Sequence, residues 1–256
     1  MFESILNKFH LRFKNREWAA NLLAESLKDV IKNEEITSKE VVVLGIPRGG
    51  VVTADVISKK LKTSFDILIP MKLGAPHNQE LGIGAVMEDG TTYLNENIIM
   101  TLKISSEYIA QVKSEQINEA KRRRLLYLNK KDEKSNLIFN TIDNTKTVIL
   151  ADDGAATGAT LIAATRWIKN RNYSPRRIII ATPIAPKDIV SSLKKETDHV
   201  VVILSPLNSG FRSVGQYYQE FNPVTDEDVI KIMKRRNFYD VDRLNLKTFT
   251  IPCLNH

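Results

Sequence analysis

The segment Val148–Thr160, VILADDGAATGAT, is the part of the chain best suited to chemistry. An apolar run ends in two acids, Asp152 and Asp153. Seven small or hydroxylated residues follow (Gly154, Ala155, Ala156, Thr157, Gly158, Ala159 and Thr160), and then a helical pattern begins. Such a loop can cradle a phosphate. Small side chains let backbone N–H groups approach an anion, the hydroxyls of Thr157 and Thr160 add donors, and the N-terminus of the following helix adds a favourable dipole. Two adjacent carboxylates would repel a bare phosphate. They suit a ligand whose hydroxyl groups they can accept from, or waters on Mg²⁺, so the loop is read as binding a sugar phosphate. Rival phosphate motifs fail in detail. A Walker A loop needs Lys where Ala159 stands, a dinucleotide fingerprint needs an opening G-x-G that Asp153-Gly154-Ala155 lacks, and Gly82-Ile83-Gly84 has Met87 in place of a third glycine. A second candidate loop, Gly45–Gly50 (GIPRGG), ends the first strand-like run. There Arg48 with Gly49 and Gly50 offers a guanidinium and free amides, a combination suited to a diphosphate.

Both loops must be positioned by strands. The β-branched runs Val41–Ile46, Phe65–Pro70, Thr147–Ala151, Arg177–Ala181 and Val200–Leu204 lack polar alternation, which marks strands buried on both faces of a parallel sheet. Helical patterns over Val51–Leu61, Ala159–Asn170 and Ile189–Glu196 alternate with them. The expected fold class is therefore α/β, an open, mostly parallel sheet with helices on both faces. Ligands of such sheets bind at the carboxyl ends of the strands, where both loops fall. Between the second and third strands, Lys72–Gly82 is rich in Gly, Pro, Asn and Gln and reads as a mobile loop. Ile83–Met87 and Thr91–Leu94 flank Glu88-Asp89-Gly90 as a hairpin, and Ser106–Asn129 is a long polar helix. Thr225 is placed to cap a last helix, Asp226–Arg235. With no repeat or linker in view, the expected organisation is a single domain over 1–256. It has an N-terminal helix at about 13–32, a core at about 40–204, a lid loop and hairpin at 72–94, and a hood at about 205–225.

These residues resemble the type I phosphoribosyltransferase superfamily. Val148–Thr160 looks like its phosphoribosyl pyrophosphate (PRPP) motif, and GIPRGG like its diphosphate loop. MKLGAPHNQELGIGAVMEDG (71–90), FRSVGQYYQEFNPVTDEDV (211–229) and Phe13–Leu27 are similar to a subgroup of bacterial and archaeal phosphoribosyltransferases, some of them fused to hydrolase domains. The resemblance spans roughly Phe13 to Lys234. It implies a Mg²⁺-dependent reaction in which a nitrogenous acceptor, a nucleobase, displaces diphosphate from C1 of PRPP. It assigns the ribose hydroxyls to Asp152 and Asp153, the 5′-phosphate to Gly154–Thr160, and the diphosphate to Arg48, Gly49 and Gly50. No side chain is expected to ligate the metal directly; PRPP and water hold it near Asp152 and Asp153. Lys72 would neutralise diphosphate from a closing lid, with Glu80 or His77 as the proton-transfer group. Phe211, Tyr217 or Tyr218 in the hood would stack an aromatic acceptor. One departure stands out: 6-oxopurine enzymes of the superfamily carry an acid where Ala156 stands, which argues against that mechanism here. The alternative on the same fold is a non-catalytic PRPP- or nucleotide-binding regulator.

The remaining composition narrows the partners. With 37 Lys+Arg against 30 Asp+Glu the net charge is +7, which suits a polyanionic ligand. Lys121–Arg124 points to different sides of a helix, so salt bridges to Glu119, Asp132 or a second subunit are the expected use, and nucleic acid is not an expected partner. No apolar run approaches a membrane span, and the lone Cys253 excludes an intramolecular disulfide and fits a reducing compartment. A cytoplasmic homodimer is expected. His10, His77, His199 and His256 have no metal-ligand spacing, and His199, beside a buried strand, is expected to be structural.

Overall fold

The computed structural model describes residues 12–128, 142–170 and 174–245. His10, Asp132, Cys253 and His256 lie outside the described residues. A five-stranded, wholly parallel sheet has the order β2-β1-β6-β7-β8: β1 is Val41–Gly45, β2 Ser64–Ile67, β6 Thr147–Ala151, β7 Arg177–Ile184 and β8 His199–Leu204. The missing polar alternation has a direct cause, because both faces are covered. Val41 and Val43, Ile149 and Ala151, and Ile179 and Ala181 face three helices: α1 (Arg16–Asn33), α2 (Gly49–Leu61) and α7 (Asp226–Asn245). They meet Leu23, Leu27, Val51, Ala54, Ile57, Val229 and Met233 there. The alternate residues Val42, Leu44, Val148, Leu150, Ile178 and Ile180 face α5 (Ala159–Asn170) and α6 (Lys187–Leu193), through Leu161, Ile162, Trp167, Ile168 and Leu193. The expected α/β architecture is thus the one observed.

A second sheet of three antiparallel strands, β3 (Met71–Ala75), β4 (Asn78–Val86) and β5 (Thr92–Leu94), sits over α5. Contact is close where Ala85 of β4 meets Ala159 and Ala163, all three without side chains beyond Cβ. The β4–β5 turn is pinned by Trp167 Nε1, which donates to Asp89 Oδ2 at 2.9 Å. The other face is covered by α3 (Glu96–Leu102) and α4 (Ser106–Tyr127), with Leu73, Ile83, Val112 and Ala120 buried between them.

This sheet corrects one expectation. Lys72–Gly82 is not an irregular mobile loop: it forms most of β3, a tight turn, and the first half of β4. Met71, Leu73 and Ala75 alternate inward, a two-residue period that the polar turn residues obscure. The turn needs a left-handed residue, and His77 supplies it with φ 62°. Smaller shifts fall at element ends. The second strand stops at Ile67, α6 spans Lys187–Leu193 and α7 continues to Asn245. Thr225 does cap α7: Asp228 N–H donates to Thr225 Oγ1 at 3.2 Å, and Thr225 N–H donates to Asp228 Oδ2 at 3.1 Å. Among the described residues no helix is long and apolar enough to cross a membrane.

Candidate functional site

The two small-residue loops leave adjacent strands, β1 and β6, at the same edge of the sheet and touch. Ile46 N–H donates to the Ala151 carbonyl at 3.0 Å. Asp152 N–H and Ala155 N–H donate to the Ala181 and Ile184 carbonyls of β7 at 3.2 and 2.8 Å, so the acidic end of the loop is fixed on the sheet. Beyond it, the N–H groups of Ala156, Thr157 and Gly158 donate to no carbonyl or side chain among the described residues, just before α5 begins at Ala159. That is the arrangement of an anion cradle. Gly158 has φ +70°, and a Cβ there would stand 3.1 Å from Ile189 and 3.2 Å from Leu193. The loops also meet through a glycine: a Cβ on Gly49 would lie 1.8 Å from Asp153 Oδ2, so only glycine lets the carboxylate lie across the start of α2. Arg48 stands at that helix start after a cis Pro47–Arg48 peptide. Its half-exposed guanidinium is 3.6 Å from Asp226 Oδ1 at the start of α7.

The two acids differ in environment. Asp152 is buried, and its Oδ1 accepts the Asp153 N–H at 2.8 Å. Burial, then the neighbouring Asp153 charge, push its carboxyl well above the usual range. Asp153 is paired: Oδ2 accepts from Arg16 Nε at 2.6 Å. Asp226 accepts from the Tyr127 hydroxyl at 2.6 Å and from Arg122 at 3.4 Å, and the Tyr127 bond is the main reason its carboxyl is held below the usual range. Among the described residues no three His, Cys, Asp or Glu side chains cluster to hold a metal ion. Asp152 and Asp153 provide hard oxygen donors, which suit Mg²⁺ through water.

Lys72, His77 and Glu80 share the β3–β4 hairpin. Lys72 Nζ lies 3.2 Å from Glu80 Oε2 and 3.3 Å from the Glu80 carbonyl. A Cβ on Gly82 would stand 3.1 Å from Thr157 Oγ1 and 3.4 Å from Lys72 Cδ, so the hairpin brings Lys72 beside the small-residue loop. His77 is exposed at the turn. In the hood, Phe211 and Tyr217 stack at 5.6 Å with 22° between ring planes, both half-buried. Tyr218 does not join them. It is 2% exposed, its ring is packed between Phe13 (5.2 Å) and Phe221 (4.8 Å), and its hydroxyl donates to the Asp153 carbonyl at 2.6 Å. This corrects its assignment as a stacking residue: it fixes the loop from behind.

Arg16 and Asp226 escaped the sequence reading. Arg16 is one of 37 basic residues and carries no local motif, and Asp226 shows only as an acid at a helix start. The basic run on α4 is largely spent on ion pairs. Arg122 and Arg123 bind Glu119 at 2.7 and 2.8 Å, holding its carboxyl pKa down at about 2, and Arg124 pairs with Glu88 at 3.2 Å. His199 contacts Glu34 at 3.1 Å, a structural use.

Comparison with known proteins adds to this geometry. The family model described as "Phosphoribosyl transferase domain" matches residues 13–198. Two curated proteins of Mycobacterium tuberculosis, strains CDC 1551 and H37Rv, each bear the name "Putative phosphoribosyl transferase". Each is 33% identical over 224 residues, which is 87% of this chain and 46% of theirs, so the chain spans about half the length of these relatives. The crystal structure of TT1426 from Thermus thermophilus is similar with a TM-score of 0.63 and 33% identity, over 88% of this chain and 99% of that one.

Proposed function

This chain belongs to the phosphoribosyl transferase domain family, and we propose that it transfers the 5-phosphoribosyl group of PRPP to a nitrogenous acceptor, a nucleobase, with Mg²⁺ and release of diphosphate. The observation that carries this reading is the meeting of two unlike phosphate loops at one sheet edge. One has a guanidinium, Arg48. The other has unpartnered N–H groups at Ala156–Gly158 behind two carboxylates. A ligand with a phosphate at one end, a diphosphate at the other and hydroxyls between matches that order.

In this reading Gly154–Thr160 hold the 5′-phosphate, Asp152 and Asp153 accept from the ribose hydroxyls, and Arg48, Gly49 and Gly50 hold the diphosphate. Bound Mg²⁺ supplies charge neutralisation for the leaving diphosphate, near Asp152 and Asp153. The C1–oxygen bond to diphosphate breaks, a bond from the acceptor nitrogen to C1 forms, and the nitrogen loses its proton. The chain contributes chiefly position and preset charge. Lys72, beside Thr157, meets the growing negative charge of the leaving group. Glu80, paired with Lys72, and His77 at the turn are the candidates to take the proton. The stacked Phe211 and Tyr217 form an apolar wall for a flat acceptor. A cytoplasmic, dimeric protein belongs to the same reading.

The test is direct. Incubated with PRPP, Mg²⁺ and a panel of nucleobases, the protein is expected to release diphosphate with at least one base, and Lys72→Ala to slow that release by about tenfold or more. PRPP binding without release for any acceptor would replace the enzyme reading with that of a regulator.

A further inference from the structure

Arg16 makes more contacts at the candidate site than its sequence context suggests, and its three contacts reach two separate parts of the chain. Nε donates to Asp153 Oδ2 at 2.6 Å. Nη1 donates to the Asn222 carbonyl at 2.7 Å. The guanidinium lies over the Phe221 ring, with Cζ 3.7 Å from its centroid. The Arg16 and Asp153 side chains are 12% and 15% exposed, so this ion pair is largely withdrawn from water.

The chain just before α1 determines this placement. Phe13 N–H donates to the Tyr217 carbonyl at 2.8 Å, Gln219 N–H to the Phe13 carbonyl at 2.8 Å, and Glu220 N–H to the Lys14 carbonyl at 3.0 Å. These bonds stitch the N-terminal strap to the hood. Asn15 then caps α1 by accepting from Trp18 N–H at 2.9 Å, which puts Arg16 in the first turn, facing the loop. Asp153 is therefore gripped twice: its carbonyl by the Tyr218 hydroxyl, and one carboxylate oxygen by Arg16. Its other oxygen, Oδ1, takes no bond from Arg16, and the Asp153 carboxyl also shares a side-chain hydrogen bond with Asp152.

We propose that Arg16 is a positioning residue that holds Asp153 through Oδ2 and leaves Oδ1 aimed to accept a sugar hydroxyl of PRPP. The inference rests on the phosphoribosyl transfer reading above. The role needs a planar, forked cation. Only a guanidinium bonds a carboxylate and a carbonyl while stacking on an aromatic face; an ammonium keeps the charge and loses the geometry.

The test measures PRPP and inorganic diphosphate binding, each with Mg²⁺, by calorimetry on wild type, Arg16→Gln, Arg16→Lys, Asp153→Asn and the Arg16→Gln/Asp153→Asn double variant, with thermal melts to confirm folding. Arg16→Gln is expected to weaken PRPP by about tenfold or more while diphosphate affinity stays within about twofold, because only PRPP carries the hydroxyls. Asp153→Asn should match it, and the double variant should be no worse than either single one. Arg16→Lys should behave as Arg16→Gln, and stands in for it if the Gln variant does not fold. Wild-type PRPP affinity in Arg16→Gln, equal losses for both ligands, multiplying effects in the double variant, or full recovery with Lys would each overturn the positioning role. Wild type that binds no PRPP would overturn the function reading and this inference with it.

Discussion

Asp152 shows what a single residue contributes beyond its type. Its neighbours are Asp153, a backbone N–H and the sheet edge, and burial raises its carboxyl above the ordinary value of 3.8. A carboxyl raised in the folded state supports folding while it is protonated. That support is complete below the unfolded value and is lost as pH rises through the folded one. Asp152→Asn mimics the protonated form at every pH. Its melting temperature relative to wild type is therefore expected to climb from pH 4 to pH 8, and a flat or falling difference would contradict the assigned burial cost. The two acids are adjacent in the sequence, and their place at the end of a buried strand was legible there. Their division of labour was not, since it depends on Arg16, more than a hundred residues away in the chain.

At the scale of elements, the β3–β4 hairpin decides where Lys72 goes. It lies on α5 only because Ala85, Ala159 and Ala163 keep the crossing close. Ala163→Leu would overfill that contact. It is expected to cost about 1–3 kcal/mol in urea unfolding. It should also weaken PRPP binding by lifting Lys72 away from Thr157, as calorimetry on the folded variant would show. The strands of the parallel sheet were readable because the central ones, β1 and β6, are covered on both faces and apolar throughout. The hairpin was misread as a loop because its Gly, Pro, Asn and Gln residues serve a turn and a close crossing, and the same residues also mark irregular chain.

Across the whole molecule, buried charge pairs join distant segments. Asp55 of α2 is 5% exposed and receives Arg236 Nε at 2.7 Å, Arg235 at 2.9 Å and Lys59 at 2.6 Å. These contacts clamp the middle of α7 against α2, while the N-terminal end of α7 offers Asp226 to Arg48. Asp55→Ala would leave Arg236, itself 11% exposed, without its carboxylate. A loss of about 3–5 kcal/mol in unfolding free energy is expected, measurable by urea titration. Arg48 should also lose order as α7 loosens.

The sequence by itself determined the sheet, the two small-residue loops at its edge and the glycines that let them form, because these depend on residues close together in the chain and on burial patterns of short period. It also carried the family. Only the tertiary structure decided which aromatic rings face outward, that Tyr218 supports the loop from behind, and that Arg16 and Asp226 reach Asp153 and Arg48. Those roles arise from contacts between residues far apart in sequence, and no local pattern of residue types encodes which distant charge will fold against which.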